Sequence, residues 1–248
     1  MSLELKPKKL HFTDQWYEGV YKDYLYKGPR SLFFKINHHL MDLFIDQKSN
    51  SRCLDIGGGA LQHIEYMSKK YVKEYATYDY EYLREACAPS SSNKESTEIK
   101  YKFFSVENEQ ELVNQKGKFT RIIASHVLEH LEKPEEALLK WVELLSDDGI
   151  ISISVPADPG FMWKIGQLIS YRKFSKLNKC TYKDFEMHNA REHINSAQRI
   201  TRIVDYYFRA KKSYGFPAVF PFINSNLFIF FQLKKADFDY TKIEKIIT

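Results

Sequence analysis

Two groups of residues in this 248-residue chain have types and spacings that can do chemistry. The first is Leu54-Asp55-Ile56-Gly57-Gly58-Gly59-Ala60-Leu61, with Asp79-Tyr80 placed 24 positions after Asp55. Glycine has no side chain and tolerates positive φ, so a ligand can approach this backbone closely. A helix N-terminus after such a turn favours a carboxylate or phosphate. If Asp79 ends a neighbouring strand, its carboxylate can accept both hydroxyls of a ribose lying over the turn; a helix N-cap is its other use. The G-x-G-x-x-G spacing of dinucleotide sites, counted from Gly57, would put glycine where Gln62 stands, which speaks against a nicotinamide or flavin pyrophosphate. The second group is Ser125-His126-Val127-Leu128-Glu129-His130. An imidazole at His126 or His130 can take a proton from an oxygen nucleophile, although such residues also brace and pack a loop. The same stretch matches an H-x-x-E-H metal pattern, so a zinc hydrolase built on His126, Glu129 and His130 is one alternative. That chemistry needs both histidines on one face of a long helix and a third ligand, whereas Pro134 interrupts the segment. No resident metal is expected.

The elements that must position these groups alternate between short β-branched runs and helical patterns, which argues for strand-helix-strand units on a parallel sheet. A helix over Ser31 to Gln47 precedes a strand ending at Asp55 and Ile56. A helix over Leu61 to Tyr71 leads to a second strand ending near Tyr78 and Asp79, and another helix spans Glu81 to Ala88. Pro89 to Thr97 is a serine-rich polar loop. Strands follow at Ile99 to Phe104 and Arg121 to Ser125. Pro134 opens a helix from Glu135 to Leu145, and Asp148-Gly149 ends it before a fifth strand, Ile150 to Val155. Residues 156–195 are too many for an ordinary connection and read as an inserted cap. A helix over Ser196 to Phe208 and strands near Lys212 to Val219 and Leu227 to Leu233 complete the pattern. The expectation is one α/β domain, a doubly wound seven-stranded sheet with helices on both faces, over residues 31–248, preceded by a lid segment at 1–30.

Composition narrows the partners. No run approaches the ~20 apolar residues of a membrane helix, and the first residues lack the apolar core of a secretory signal, so a cytoplasmic protein is expected. Cys53, Cys87 and Cys180 stand in no paired metal or redox spacing. The net charge of +5 is modest and scattered, which disfavours nucleic acid. Between Pro156 and Ala190, six Lys or Arg face three acids, interleaved with Phe161, Trp163, Tyr171 and Phe174. That segment is either a solvated helix or a lid for an anionic acceptor. Oligomeric state is not legible.

LDIGGG resembles the LDIGCG-type first motif of class I S-adenosylmethionine methyltransferases. Asp79 falls where that family places its ribose-binding acid, and Phe119 to Pro156 looks like its fourth-strand, helix and fifth-strand block. The likeness spans about Cys53 to Pro156 and implies a Rossmann-like sheet. It implies S-adenosyl-L-methionine as cofactor and S-adenosyl-L-homocysteine as product. Asp55, Gly57, Gly58 and Gly59 would lie near the methionine end, Asp79 and Tyr80 at the ribose, Ser105 and Val106 (with Glu107) beside the adenine, and Ser125 and His126 facing the methyl group. Leu61 replaces the family's usual third glycine, and Ser105 its usual adenine-side acid, so the adenine contacts depart from the pattern. Trp16 to Tyr21 resembles the aromatic lid helices of small-molecule methyltransferases, which would bring Tyr17 to the cofactor and Tyr21 to the acceptor. His188-Asn189-Ala190-Arg191-Glu192-His193 resembles an H-x-x-R stretch of members acting on small molecules or sugars. His188, Arg191 and Trp163 would then face the acceptor.

The expected activity is O-methylation of a small anionic or sugar-linked acceptor, with His126, His130 or His188 as the catalytic base. A capsule-type sugar hydroxyl or phosphoramidate would suit the basic insertion, and the abundance of Lys, Asn, Ile, Phe and Tyr suggests an AT-rich bacterial genome and a surface-polysaccharide pathway. N-methylation of an amine or RNA and a non-catalytic cofactor-binding module are the alternatives. Base-directed chemistry lacks its N/D-P-P-Y/F/W tetrad, because Ser125-His126-Val127-Leu128 stands there.

Overall fold

The computed structural model describes residues 29–59, 61, 63–85, 99–178 and 180–243. Tyr17 and Tyr21, the polar loop at 89–97 and Cys87 lie outside them. Helix α1 (Pro29–Leu43) leads through a short 3-10 turn into strand β1 (Arg52–Ile56). Strands β2 (Glu74–Asp79) and β3 (Lys100–Ser105) follow, then the short helix α2 (Glu109–Val113) and β4 (Phe119–Ser125). Helix α3 (Pro134–Leu144) runs into β5 (Leu145–Pro156). The cap is a helical pair, α4 (Phe161–Asn178) and α5 (Tyr182–Glu192), before α6 (Ala197–Tyr207), β6 (Lys212–Pro217) and β7 (Asn226–Lys234).

The seven strands form one sheet in the order β3-β2-β1-β4-β5-β7-β6. The expectation of a parallel sheet holds for β1 to β5, whereas β7 runs antiparallel to both β5 and β6. A short connection between β6 and β7 permits only a hairpin-like reversal, since a parallel return needs a crossover of a dozen or more residues. Alternate residues leave the sheet on opposite faces. Leu54, Ile122, Ile153 and Phe231 bury one face with Trp141, Ile200 and Val204, while Cys53, Tyr75, Ile123 and Phe230 bury the other with Met41 of α1. Both faces are therefore covered, which explains the near-continuous apolar strands.

Three expected elements differ. Instead of a helix over Leu61 to Tyr71 there are two 3-10 turns, His63–Tyr66 and Lys69–Tyr71. Leu61 adopts φ +59°, a left-handed conformation from which a right-handed helix cannot start. At Glu81 only the 3-10 turn Glu81–Leu83 is described. Asp148-Gly149 lies inside β5, where the pairing jumps from Phe119–Leu145 to Arg121–Ile150 and the extra residues bulge out. Among the described residues no helix is long and apolar enough to cross a membrane.

Candidate active site at the strand tips

Strand order brings the chemistry-bearing residues into one row. Ile56 pairs with Tyr78 on one side and Ala124 on the other, so the glycine turn emerges between Asp79 and Ser125, with Ser105 opposite Asp79. Three strand intervals of about 4.8 Å make this row roughly 14 Å long, enough for a nucleoside with an amino-acid arm. The chain leaves β1 towards β2 on one side and finds β4 on the other; ligands of open α/β sheets lie at such a switch point.

The turn is built to keep its backbone open. Gly57 and Gly59 have φ of +65° and +51°, and the Gly57 N–H donates to the Tyr78 carbonyl at 2.9 Å. A Cβ on Gly58 would lie 2.6 Å from the Asp55 carboxyl carbon, whereas one on Gly59 would meet nothing within 4 Å. Gly58 is thus needed for the carboxylate packed beneath it, and Gly59 presents the face a ligand can approach. Asp55 is buried and accepts a 2.5 Å hydrogen bond from Tyr75 Oη. Burial pushes its carboxyl up to about 7, and the Asp79 charge adds to the shift. A cation bound above it would favour the ionised form.

Asp79 is the second anchor. Its Oδ2 accepts from the Gly59 N–H at 3.0 Å and its Oδ1 from the Tyr80 N–H at 2.8 Å, so the turn and the β2 tip are clasped together. The N-cap reading of Asp79 is not realised, since Tyr80 stands at the cap position of the turn Glu81–Leu83, and each Asp79 oxygen retains a lone-pair direction for a ribose hydroxyl. Burial raises this carboxyl as well. The Tyr80 hydroxyl beside it is buried with no hydrogen-bond partner, which marks a position a polar ligand group can fill. Ser105 caps the turn Val106–Asn108 by accepting from the Glu107 N–H, and its hydroxyl bonds the Glu107 carboxylate. Glu107 also accepts from the Glu81 N–H at 3.0 Å, tying the turn after β3 to the turn after β2. These residues fit a purine nucleoside with a cationic amino-acid arm.

At the other end, Asn37 of α1 donates to Ser125 Oγ at 2.8 Å and also bonds the Ser154 hydroxyl, fixing the β4 tip. His126 takes φ +57°, its N–H donates to the Ser154 carbonyl, and Val127 packs toward Gly57. The ring lies between Phe34 and Phe228 with Nδ1 3.2 Å from Glu129 Oε1, and its Nε2 is buried without a partner. The zinc-hydrolase geometry expected of His126, Glu129 and His130 is not built. His126 is left-handed and a 3-10 turn, Leu128–His130, follows, so the two histidines do not share a helical face.

The cap completes this end. The His130 side chain is exposed and its Nδ1 lies 2.7 Å from the Glu192 carbonyl. His188 stacks on Phe174, and burial pushes it down to about 4, helped by the positive fields of His193, His130 and Arg191. Arg191 is exposed near the end of α5, three residues after His188 on that helix, and Trp163 packs on the His193 ring, 5.7 Å away. Sequence reasoning passed over Tyr75, Asn37, Asn195 and His193. Asn195 Nδ2 donates to the Leu128 and Leu131 carbonyls at 2.9 and 2.6 Å and so holds the His130 turn. A strand tyrosine or a helical asparagine carries no signal of such a role; only His193, inside the quoted His188–His193 cluster, did.

No curated protein matches the chain. Among solved structures it is similar to a methyltransferase from Archaeoglobus fulgidus described as S-adenosylmethionine-dependent, with TM-score 0.55, 14% identity, and 88% of this chain and 99% of that one covered. It is also similar to the CurJ carbon methyltransferase, with TM-score 0.57 and 12% identity, covering 88% of this chain and 59% of that one. A third is the N-methyltransferase NodS from Bradyrhizobium japonicum, bound to S-adenosylhomocysteine, with TM-score 0.51, 14% identity, and 89% and 98% covered. These likenesses give the fold. The model of a methyltransferase domain family matches residues 30–203, from α1 through the glycine turn and cap into α6, and the chain belongs to that family.

Proposed function

We propose that the chain is an S-adenosylmethionine-dependent O-methyltransferase acting on a small anionic or sugar-linked acceptor. The observation that carries the oxygen-acceptor reading is the His126–Glu129 pair. Glu129 is 1% exposed and accepts from His126 Nδ1–H, so the lone pair rests on the buried, unpartnered Nε2 at the β4 tip. An amine acceptor can attack through its own lone pair, whereas a hydroxyl of high pKa needs a base so placed.

When bound, S-adenosylmethionine supplies a methyl group on a sulfonium, and its transfer leaves the neutral thioether of S-adenosylhomocysteine. Asp79 would hold the ribose hydroxyls and the Asp55 carboxylate would balance the cationic amino group, with the glycine turn between them. His126 Nε2 would take the proton of the acceptor hydroxyl as that oxygen becomes the nucleophile. Glu129 keeps the imidazole in the required tautomer and balances the imidazolium. The cap excludes water, and Arg191, with His188 and Trp163 near it, receives the acceptor's negative group. A surface-polysaccharide sugar carrying a phosphate or carboxylate suits this basic insertion.

Transfer of a labelled methyl group to a panel of sugar phosphates, uronic acids, phosphoramidates and amines tests the reading. Label is expected on a hydroxyl oxygen of an anionic acceptor. His126→Ala should lower kcat by roughly 100-fold or more while leaving S-adenosylhomocysteine affinity unchanged. Label on amine acceptors alone, with His126→Ala fully active, would replace the proposal with N-methylation.

A further inference from the structure

The segment after α5 and the turn after β4 hold a cluster of which the proposed methyl transfer uses only Glu129, through His126. Glu129, His130 and His193 each bring one donor atom within 4.8 Å of the others. His130 Nδ1 lies 2.7 Å from a backbone carbonyl, which can only accept, so the proton is on Nδ1 and the lone pair on Nε2. That Nε2 is 3.8 Å from Glu129 Oε1. His193 Nδ1 lies 3.1 Å from Asp158 Oδ2, and a carboxylate again fixes the proton on Nδ1. Both imidazoles thus have one ring N–H anchored to a carbonyl or carboxylate and the opposite nitrogen presented, the arrangement that orients metal-ligating histidines.

A second observation points to a ligand at this place. Glu129 is 1% exposed, one carboxylate oxygen accepts from His126, and the other, Oε2, is buried with no hydrogen-bond partner. A buried anionic oxygen is satisfied by a donor or by a cation, and the same carboxylate has the lone-pair nitrogen of His130 3.8 Å from its other oxygen.

We propose that Glu129, His130 and His193 bind one divalent first-row transition ion, zinc by preference, with a fourth position left for water or an anionic oxygen. Two imidazole nitrogens and one carboxylate oxygen are a zinc donor set. Tetrahedral zinc with bonds of about 2.0–2.2 Å puts its donors roughly 3.4 Å apart, so the 3.8 Å pair needs only a small side-chain rotation. Asn195 already holds the two parts of the site together, since its N–H donates to the Glu129 carbonyl at 3.0 Å and its amide to the turn before and after His130. The ion would clamp the β4 turn to the junction of α5 and α6, and through the shared Glu129 it would reach the His126 ring. The site stands on these residues alone and does not depend on the identity of the methyl acceptor.

Untagged full-length protein, treated with a chelator and dialysed, is titrated calorimetrically with zinc chloride and analysed for bound metal. One zinc ion per chain is expected. Cobalt loading should give the visible d–d bands of a tetrahedral nitrogen–oxygen site. His193→Asn and His130→Gln should each weaken zinc binding by roughly tenfold or more and abolish the cobalt bands. Circular dichroism and S-adenosylhomocysteine titration of each variant show that it is folded; the exposed position of His130 keeps at least that variant testable. Failure of folded wild-type protein to bind zinc, or zinc stoichiometry and affinity unchanged in folded His130→Gln and His193→Asn, would overturn the proposal.

Discussion

Single residues set the polarity of this site. Asp79 places two carboxylate oxygens at the turn, and charge-assisted hydrogen bonds of this kind are worth about 1.5–3 kcal/mol. Asp79→Ala should therefore weaken S-adenosylhomocysteine binding by roughly 10- to 150-fold in a calorimetric titration. Asp55 makes a pH-dependent prediction. Its carboxyl rises from 3.8 to about 7 on burial, so between these values the folded protein keeps a proton that the unfolded chain has lost. Stability then falls as pH rises through that window and levels off above it. Asp55→Asn removes this dependence while leaving an acceptor for Tyr75. The melting temperature of the unliganded variant should exceed that of the wild type at pH 8 and converge with it below pH 4. A variant that melts below wild type at pH 8 would contradict the buried, proton-holding carboxyl. The strand-end places of the two aspartates and the sharp turn at the glycines were legible because short acidic residues beside glycine after an apolar run have few other uses. Tyr75 was not, since its hydroxyl adds nothing to the strand pattern that buries its ring.

At the scale of elements, the strands were read within about two residues of their ends, except β5, which starts five residues earlier, at Leu145, and the segment expected as an inserted cap holds two helices. The helix expected after the glycine turn was not found, because the periodicity of Leu61 to Tyr71 carries no trace of the positive φ at Leu61. Equally unmarked are the positive φ at His126 and the 3-10 turn Leu128–His130, which depends on Asn195, a residue more than 60 positions away. Asn195→Ala would leave two buried carbonyls without their donor and should cost about 1–3 kcal/mol of stability by urea unfolding. It should also lower kcat while sparing S-adenosylhomocysteine affinity, because this turn follows His126 at the β4 tip and leaves Asp79 and the glycine turn untouched. Equal losses in both would place the turn elsewhere in the reaction.

For the whole molecule, sheet order does most of the positioning, and order follows from the connections rather than from any one segment's pattern. The sequence carries the seven strands, yet the reversal of β7 is invisible to periodicity, which has no direction. Equally invisible is Arg121, the buried cation that joins α1 to the sheet. It bonds Asp42 at 2.6 Å, Asn50 at 2.8 Å, Ser152 at 2.9 Å and the Met41 carbonyl at 3.1 Å. Arg121→Met would strand Asp42 in the interior and should cost about 3–5 kcal/mol in urea unfolding, close to the limit of a marginally stable fold. The central claim is that the row from Ser105 to His126 is a cofactor site, and a calorimetric titration of the purified protein with S-adenosylhomocysteine tests it most directly. One site per chain is expected, with micromolar or tighter affinity that Asp79→Ala weakens; folded protein that takes up none of the nucleoside would contradict the account.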